Sequence, residues 1–208
     1  MTASSTRRVY GGVSGEERAA ERRRKLIDAG MNLFGSASSG SVRVKDVVAE
    51  AGLTERYFYE SFTDLAALFD AVFDFAADSL ETEVNGVMGD APQDAFARVS
   101  IALRKTVDTL AADPRMIRIF FVEALGTGGR AGVHRNEILV RAAGNFLKWS
   151  APDAPSFEGS SVDARMKAFA VSGAASELLI SWADGLLDVT PAELADFLVG
   201  LYWRMNLP

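Results

Sequence analysis

The stretch from Val44 to Phe62, VKDVVAEAGLTERYFYESF, constrains the chain more than any other. Val44, Val47, Val48 and Ala51 recur at helical spacing and stop at Gly52. A second segment opens at Thr54 and carries Phe58 and Phe62 on one face. Two short helices joined by a glycine-containing turn read as a helix-turn-helix, whose second helix lies in a DNA major groove. Phe58, Phe62 and the preceding Leu53 fall inward on that helix, while Glu55, Arg56, Tyr57 and Tyr59 point elsewhere.

The rest of the chain is punctuated as helices too. Ser14-Gly-Glu-Glu17 is a capping box, and the helix it opens sets Leu26, Ile27, Gly30, Leu33 and Phe34 on one face before stopping in GSASSG. Asp64 can cap a long helix with Leu65, Leu68, Phe69, Val72, Phe73, Ala76 and Leu80 on one side. Asp70, Asp74, Asp78 and Glu81 line its opposite side. Further starts are expected at Asp90-Ala-Pro-Gln93, Asp113-Pro114 and Thr190-Pro-Ala-Glu193, and breaks at 126–132 and 150–161. No strand-like alternation and no internal repeat interrupts the series. The expected fold is all-α with about nine helices. Residues 1–13 would form a disordered basic arm, 14–63 a three-helix helix-turn-helix domain, and 64–208 a larger ligand-binding and dimerisation domain.

Charge separates the two parts. Residues 1–64 hold ten Lys/Arg against nine Asp/Glu, and residues 65–208 hold twelve against nineteen, for a net charge of −6. Seven of the basic residues precede position 26, including Arg22, Arg23, Arg24 and Lys25. A local basic cluster attracts phosphate, whereas an acidic remainder limits unspecific adhesion. RRRK reads equally well as a solvated helix face. The chain has no cysteine, which excludes a disulfide framework and a thiolate metal site. No apolar run approaches the roughly 20 residues of a membrane span, and the arginine-bearing N-terminus lacks the apolar core of a secretory signal. A cytoplasmic location is expected.

The segment from about Arg22 to Val72 resembles the DNA-binding domain of the TetR (tetracycline-repressor-like) family of bacterial transcriptional regulators. The residues that carry the resemblance are Leu33-Phe34, Val44-Lys-Asp-Val47, Ala51-Gly-Leu-Thr54, Phe58-Tyr59, Phe62 and Leu68. Three positions depart from the family pattern. Arg43 stands where a capping Thr or Ser is usual, Leu65 where a lysine is common, and Ser61 where a His or Tyr is common. The expected DNA-contacting set is Arg43, Lys45, Thr54, Arg56, Tyr57, Tyr59 and Ser61. Arg56 and Tyr57 would reach base edges, since arginine pairs bidentately with guanine and tyrosine can pack on a thymine methyl. Tyr59 would meet phosphate, the role the resemblance supports most, and Arg43 and Lys45 would grip backbone.

One such unit reads few base pairs, so a two-fold homodimer on a palindromic double-stranded operator is expected. Ser172, Ala175, Ser176, Leu179 and Ala183 form a face of mostly small residues, and Phe197, Leu198 and Leu201 recur on the last helix. These are the expected dimer residues, as in TetR-like proteins, although an intramolecular core reads the same way. The middle helices are rich in aromatics with polar groups interspersed, which describes a small-molecule pocket and equally a plain core. If the resemblance holds, Met116, Phe120, Glu123, Asn145, Trp149, Glu177 and Trp182 are the candidate lining residues, and the effector is a largely apolar small molecule. Arg104, Arg118 and Arg141 leave an anionic effector open. His134 has no nucleophile or metal-ligating partner, and GTGGRAG lacks the strand and the Lys-Ser/Thr of a phosphate loop. No cofactor, metal or catalytic activity is expected. The leading expectation is a ligand-released repressor; the alternative is a helical ligand-binding or protein-interaction dimer whose DNA binding has decayed.

Overall fold

Helix ends fall where side chains can replace the backbone partners that a helix terminus lacks. The computed structural model describes residues 14–36, 42–121, 131–150 and 156–206. Among these described residues the chain forms nine α-helices and no strand. They are α1 (Gly15–Phe34), α2 (Val44–Glu50), α3 (Glu55–Ser61), α4 (Leu65–Met88), α5 (Ala95–Ala112), α6 (Arg115–Phe121), α7 (Ala131–Ser150), α8 (Val162–Ala183) and α9 (Pro191–Asn206).

Three of the expected caps are formed. The Ser14 hydroxyl accepts from the Glu17 N–H at 3.0 Å while the Glu17 carboxylate accepts from the Ser14 N–H. Thr190 and Glu193 repeat that exchange around Pro191, which needs no N–H at the first helical position. Asp64 accepts from the Ala67 N–H at 2.8 Å. One expected cap moves: α5 is capped by Asp94, not Asp90, because the Ala91 N–H is taken by the Met88 carbonyl in the turn that closes α4. Helix α7 begins at Ala131, inside the break expected at 126–132, whose residues 126–130 lie outside the described ones. Arg43 lacks a hydroxyl to cap α2, and the Asp46 carboxylate accepts from the Arg43 N–H instead. At Gly52, φ is 63°, a left-handed conformation that glycine adopts without strain and that turns the chain from α2 into α3.

The helix-turn-helix is not an isolated bead. One apolar cluster runs from Leu26 and Phe34 of α1 through Val47 and Phe58 to Leu68, Phe69 and Val72 of α4, then on to Ile117 and Phe120 of α6 and Leu198 of α9. A second cluster joins Val84 of α4 to Val99 and Leu103 of α5, Phe146 and Trp149 of α7, and Val199 and Tyr202 of α9. Helix α4 enters both.

The crossing of α1 and α4 depends on Gly30. A Cβ placed there would stand 2.6 Å from Val72 Cγ2, and Val72 is fully buried. Gly30→Ala would bring the usual helix gain of about 0.5–1 kcal/mol, but overpacking a filled contact typically costs about 1–3 kcal/mol. A net loss of about 1–2 kcal/mol is expected from urea unfolding midpoints; an unchanged or raised midpoint would show that the crossing is loose.

Candidate DNA-reading helix and candidate effector cavity

Helix α3 presents its polar side chains from a floor made by Phe58, which is fully buried, and Phe62. The Arg56 side chain is 81% exposed and bonds Glu60 one turn on, Nε to Oε1 at 2.9 Å. Tyr59 is 59% exposed, its ring set edge-on against Phe58 with centroids 5.3 Å apart. Thr54 is the exposed N-cap residue, and its side chain makes no capping hydrogen bond. Tyr57 is half-buried, with the Arg22 guanidinium 4.5 Å above its ring. Ser61 is half-buried as well, and its carbonyl accepts from Arg23 Nη1 at 3.1 Å. On α2, Lys45 is exposed, and Arg43 bonds Asp46 at 3.0 Å. That bond holds the Asp46 carboxyl below the usual carboxylate range.

The seven DNA candidates therefore share one end of the chain, but Tyr57 and Ser61 are less available than Thr54, Arg56 and Tyr59. Two further residues belong to this region. Arg22 lies over Tyr57 and within 3.7 Å of Glu60, and Arg23 lies over Phe62 at 4.3 Å from the ring centroid. In the sequence they are two letters of a basic run. What singles them out is their stacking on aromatics of α3, a contact between positions more than thirty residues apart.

The second site is a cavity of about 100 Å³ between α4, α5, α7 and α8, closed by Phe120 and Phe121 of α6 and by Leu198. Leu80, Val84, Leu103, Phe146 and Leu179 are among its apolar walls. Of the expected lining residues, Phe120, Asn145 and Trp149 line it. Met116 instead borders a cleft beside Asp28, Asn32 and Arg115. Glu177 is exposed, and the Trp182 indole N–H donates to the Val189 carbonyl at 2.9 Å, so neither lines the cavity. Glu123 lies outside the described residues, as does the His134 side chain.

Glu81, read from the sequence on the side of α4 opposite its apolar stripe, lines the cavity. Arg141 of α7 bonds it with both nitrogens of one edge, Nε to Oε1 at 2.5 Å and Nη2 to Oε2 at 2.8 Å, and Nη2 also reaches Asp78 at 3.1 Å. Arg141 holds the Glu81 carboxyl below its ordinary range, and Glu81 and Asp78 push the Arg141 guanidinium up. Three hydroxyls of the lining donate to carbonyls one turn back on their own helices: Thr106 to Ala102, Ser172 to Ala168 and Ser176 to Ser172, each at 2.8 Å.

The face of small residues expected to meet a second chain points into this cavity. Ser172, Ala175, Ser176 and Leu179 all line it, as does Leu198 from α9. All five therefore line the cavity within one chain, and Ala175 and Ser176 are half-buried there. Ala183 is exposed, Leu201 is half-buried and Phe197 is 53% exposed. A neighbouring face of α8 sets Val162, Met166 and Phe169 at helical spacing in solvent, Met166 being 65% exposed.

An all-helical chain with an N-terminal helix-turn-helix, a helix shared between its two cores and a cavity beyond it defines a known class of architecture. No family model matches the chain, and no curated protein does. Solved structures match it over most of its length. A TetR-like transcriptional regulator from Rhodococcus sp. RHA1 is 17% identical and aligns over 88% of this chain and 94% of its own with a TM-score of 0.66. The fatty acid degradation regulator FadR from Bacillus halodurans is 15% identical, with 87% and 94% covered and a TM-score of 0.69. A TetR-family regulator from Streptomyces coelicolor is 18% identical, with 88% and 81% covered and a TM-score of 0.67. The chain has the fold of TetR-family transcriptional regulators.

The clasp between Arg141 and Glu81 makes a pH prediction. Because the folded state lowers the Glu81 pKa from 4.5, the clasp stabilises the fold above that value and is lost as pH falls through the lower, folded value. Arg141→Gln is expected to reduce stability at neutral pH, with the deficit against the parent shrinking in acid. Urea melts of both proteins across that range check it, and a deficit that persists unchanged in acid would mean the clasp contributes nothing.

Proposed function

We propose that this chain is a DNA-binding transcriptional regulator that works as a homodimer on a palindromic operator and is released by a mostly apolar small molecule. The observation that carries this reading is the exposed polar edge of α3, Thr54, Arg56 and Tyr59, standing on a buried aromatic floor and flanked by Arg22 and Arg23. The likeness in fold to known regulators supports it. Residues 14–63 act as the reading unit and 64–208 as the unit that binds effector and partner. Arg56 reads base edges after exchanging Glu60 for a guanine, while Tyr59, Thr54, Lys45 and Arg43 hold phosphates. Tyr57 and Ser61 support the helix.

Repression and release follow from α4. Its middle and C-terminal turns supply Ala77, Leu80, Glu81 and Val84 to the cavity, and its N-terminal turns pack on α1 and thereby on the reading unit. An effector that fits the cavity better in one position of α4 than in another biases the spacing of the two α3 helices. The free energy available is only the difference in its affinity for the two states, typically about 1–3 kcal/mol. No catalytic step and no cofactor enter this scheme, and the working place is the cytoplasm.

The partner face is the exposed side of α8 together with Phe197 of α9. Met166→Asp combined with Phe197→Asp is expected to turn dimers into monomers by light scattering without loss of helicity. Dimers that survive the double change would move the interface elsewhere.

A second reading is favoured by one feature: Arg43 and Arg56 each already hold a carboxylate. In that case the chain is a ligand-binding dimer whose DNA contacts have decayed. Selection of bound duplexes from a random pool at low salt decides between them. A palindrome with half-sites about one helical turn apart, roughly 34–36 Å, is expected. Arg56→Ala with Tyr59→Phe should then weaken binding by at least about tenfold, or 1.4 kcal/mol, while leaving folding intact. A folded dimer that recovers no duplex would establish the second reading.

A further inference from the structure

We propose that the effector of this cavity is an uncharged, mostly apolar molecule with one hydroxyl group, an alcohol in the simplest case. This inference rests on the cavity being the effector site. Among the described lining residues only Glu81 and Arg141 are charged, and they are bonded to each other through both carboxylate oxygens. Asn145 adds a hydrogen bond to Glu81, Lys148 acts on it from a distance, and Asp78 takes a further Arg141 donor. These four charged groups, Asp78, Glu81, Arg141 and Lys148, sum to zero.

An anionic head could reach Arg141 only by displacing Glu81, which would strip that carboxylate of two strong donors beside an apolar wall. A cationic head would have to displace Arg141 from Glu81 and leave the guanidinium short of its main partner. Either exchange removes one member of a matched pair, the change that partly buried ion pairs tolerate least. The other two arginines that might have served an anion are taken up elsewhere. Arg104 pairs with Asp196, and Arg118 lies 3.7 Å from Asp184. A neutral molecule leaves the clasp whole.

Hydroxyls and amides of the lining set the remaining hydrogen bonding. Thr106, Ser172 and Ser176 have committed their protons to their own helices. Their oxygens keep lone pairs and can accept, while the amides of Asn85 and Asn145 in the same lining can donate. A ligand hydroxyl, which both donates and accepts without carrying charge, suits such a lining.

The test uses the full chain and calorimetric titration with decanol, decanoate and decylammonium at neutral pH. Three variants accompany it: Glu81→Gln, Arg141→Gln, and Ser176→Phe, which fills the cavity. Decanol is expected to bind at least about tenfold tighter than either ion and to be lost in Ser176→Phe. Glu81→Gln should shift the decanoate-to-decanol preference about tenfold toward the acid, and Arg141→Gln should shift the amine-to-decanol preference likewise, each unmasking the charge left behind. If one variant fails to fold by circular dichroism, the other carries the comparison. A parent protein that prefers either ion, with that binding abolished by Ser176→Phe, keeps the cavity as the site and overturns its neutrality. Unchanged preferences in the folded charge variants overturn it as well. Failure of all three molecules to bind, or binding indifferent to Ser176→Phe, overturns the effector site together with the inference.

Discussion

The fold depends on the burial of α4 in both apolar clusters. Through its first half α4 gives Leu68, Phe69, Val72 and Phe73 to the cluster that contains the helix-turn-helix, and near its far end it gives Val84 to the cluster of α5, α7 and α9. Twenty-four residues of α-helix extend about 36 Å, so one stiff element reaches from the reading unit to the cavity. The tight seat of Gly30 on Val72 fixes one end of that element, and the Arg141 clasp fixes it again beside the cavity. Neither end can shift without disturbing packed or paired groups, which is the condition for a change at one place to be felt at the other.

The cavity is mostly apolar in composition, and its few polar groups are largely satisfied among themselves. Its ion pair is internal, and its hydroxyls bond their own helices, so the apolar walls need not compete with stranded polar groups for stability. A site of this kind can stay folded while empty. It also selects by what a ligand would interrupt, a different criterion from counting the contacts the ligand would make.

How much of this was legible in the sequence varied with the range of the interaction. Caps and periodic faces are local, so Ser14, Asp64 and Thr190 marked helix starts correctly. Asp90 and Asp94 are both acceptable caps, and only the closing turn of α4 decides between them. On α8 the pattern is apolar around most of the circumference, with Val162, Met166 and Phe169 on one face and Ser172, Ala175 and Leu179 on a neighbouring one. Periodicity then cannot tell the wall of a cavity from a face left in solvent, so the sequence did not show that the small-residue face lines the cavity. Glu81 was hidden for another reason. A carboxylate in an acidic row reads as solvated, and its partner Arg141 lies sixty residues further on.

The arginines over α3 have a consequence for recognition. An unrestrained arginine side chain carries about 2 kcal/mol of rotamer entropy that any phosphate contact must quench. Arg22 and Arg23 are already held over the rings of Tyr57 and Phe62, so much of that freedom is surrendered when the chain folds. Positive charge beside the reading helix is thereby held in a fixed array before any polyanion arrives. The temperature dependence of association should accordingly owe less to side-chain ordering than the arginine content of α1 alone would suggest.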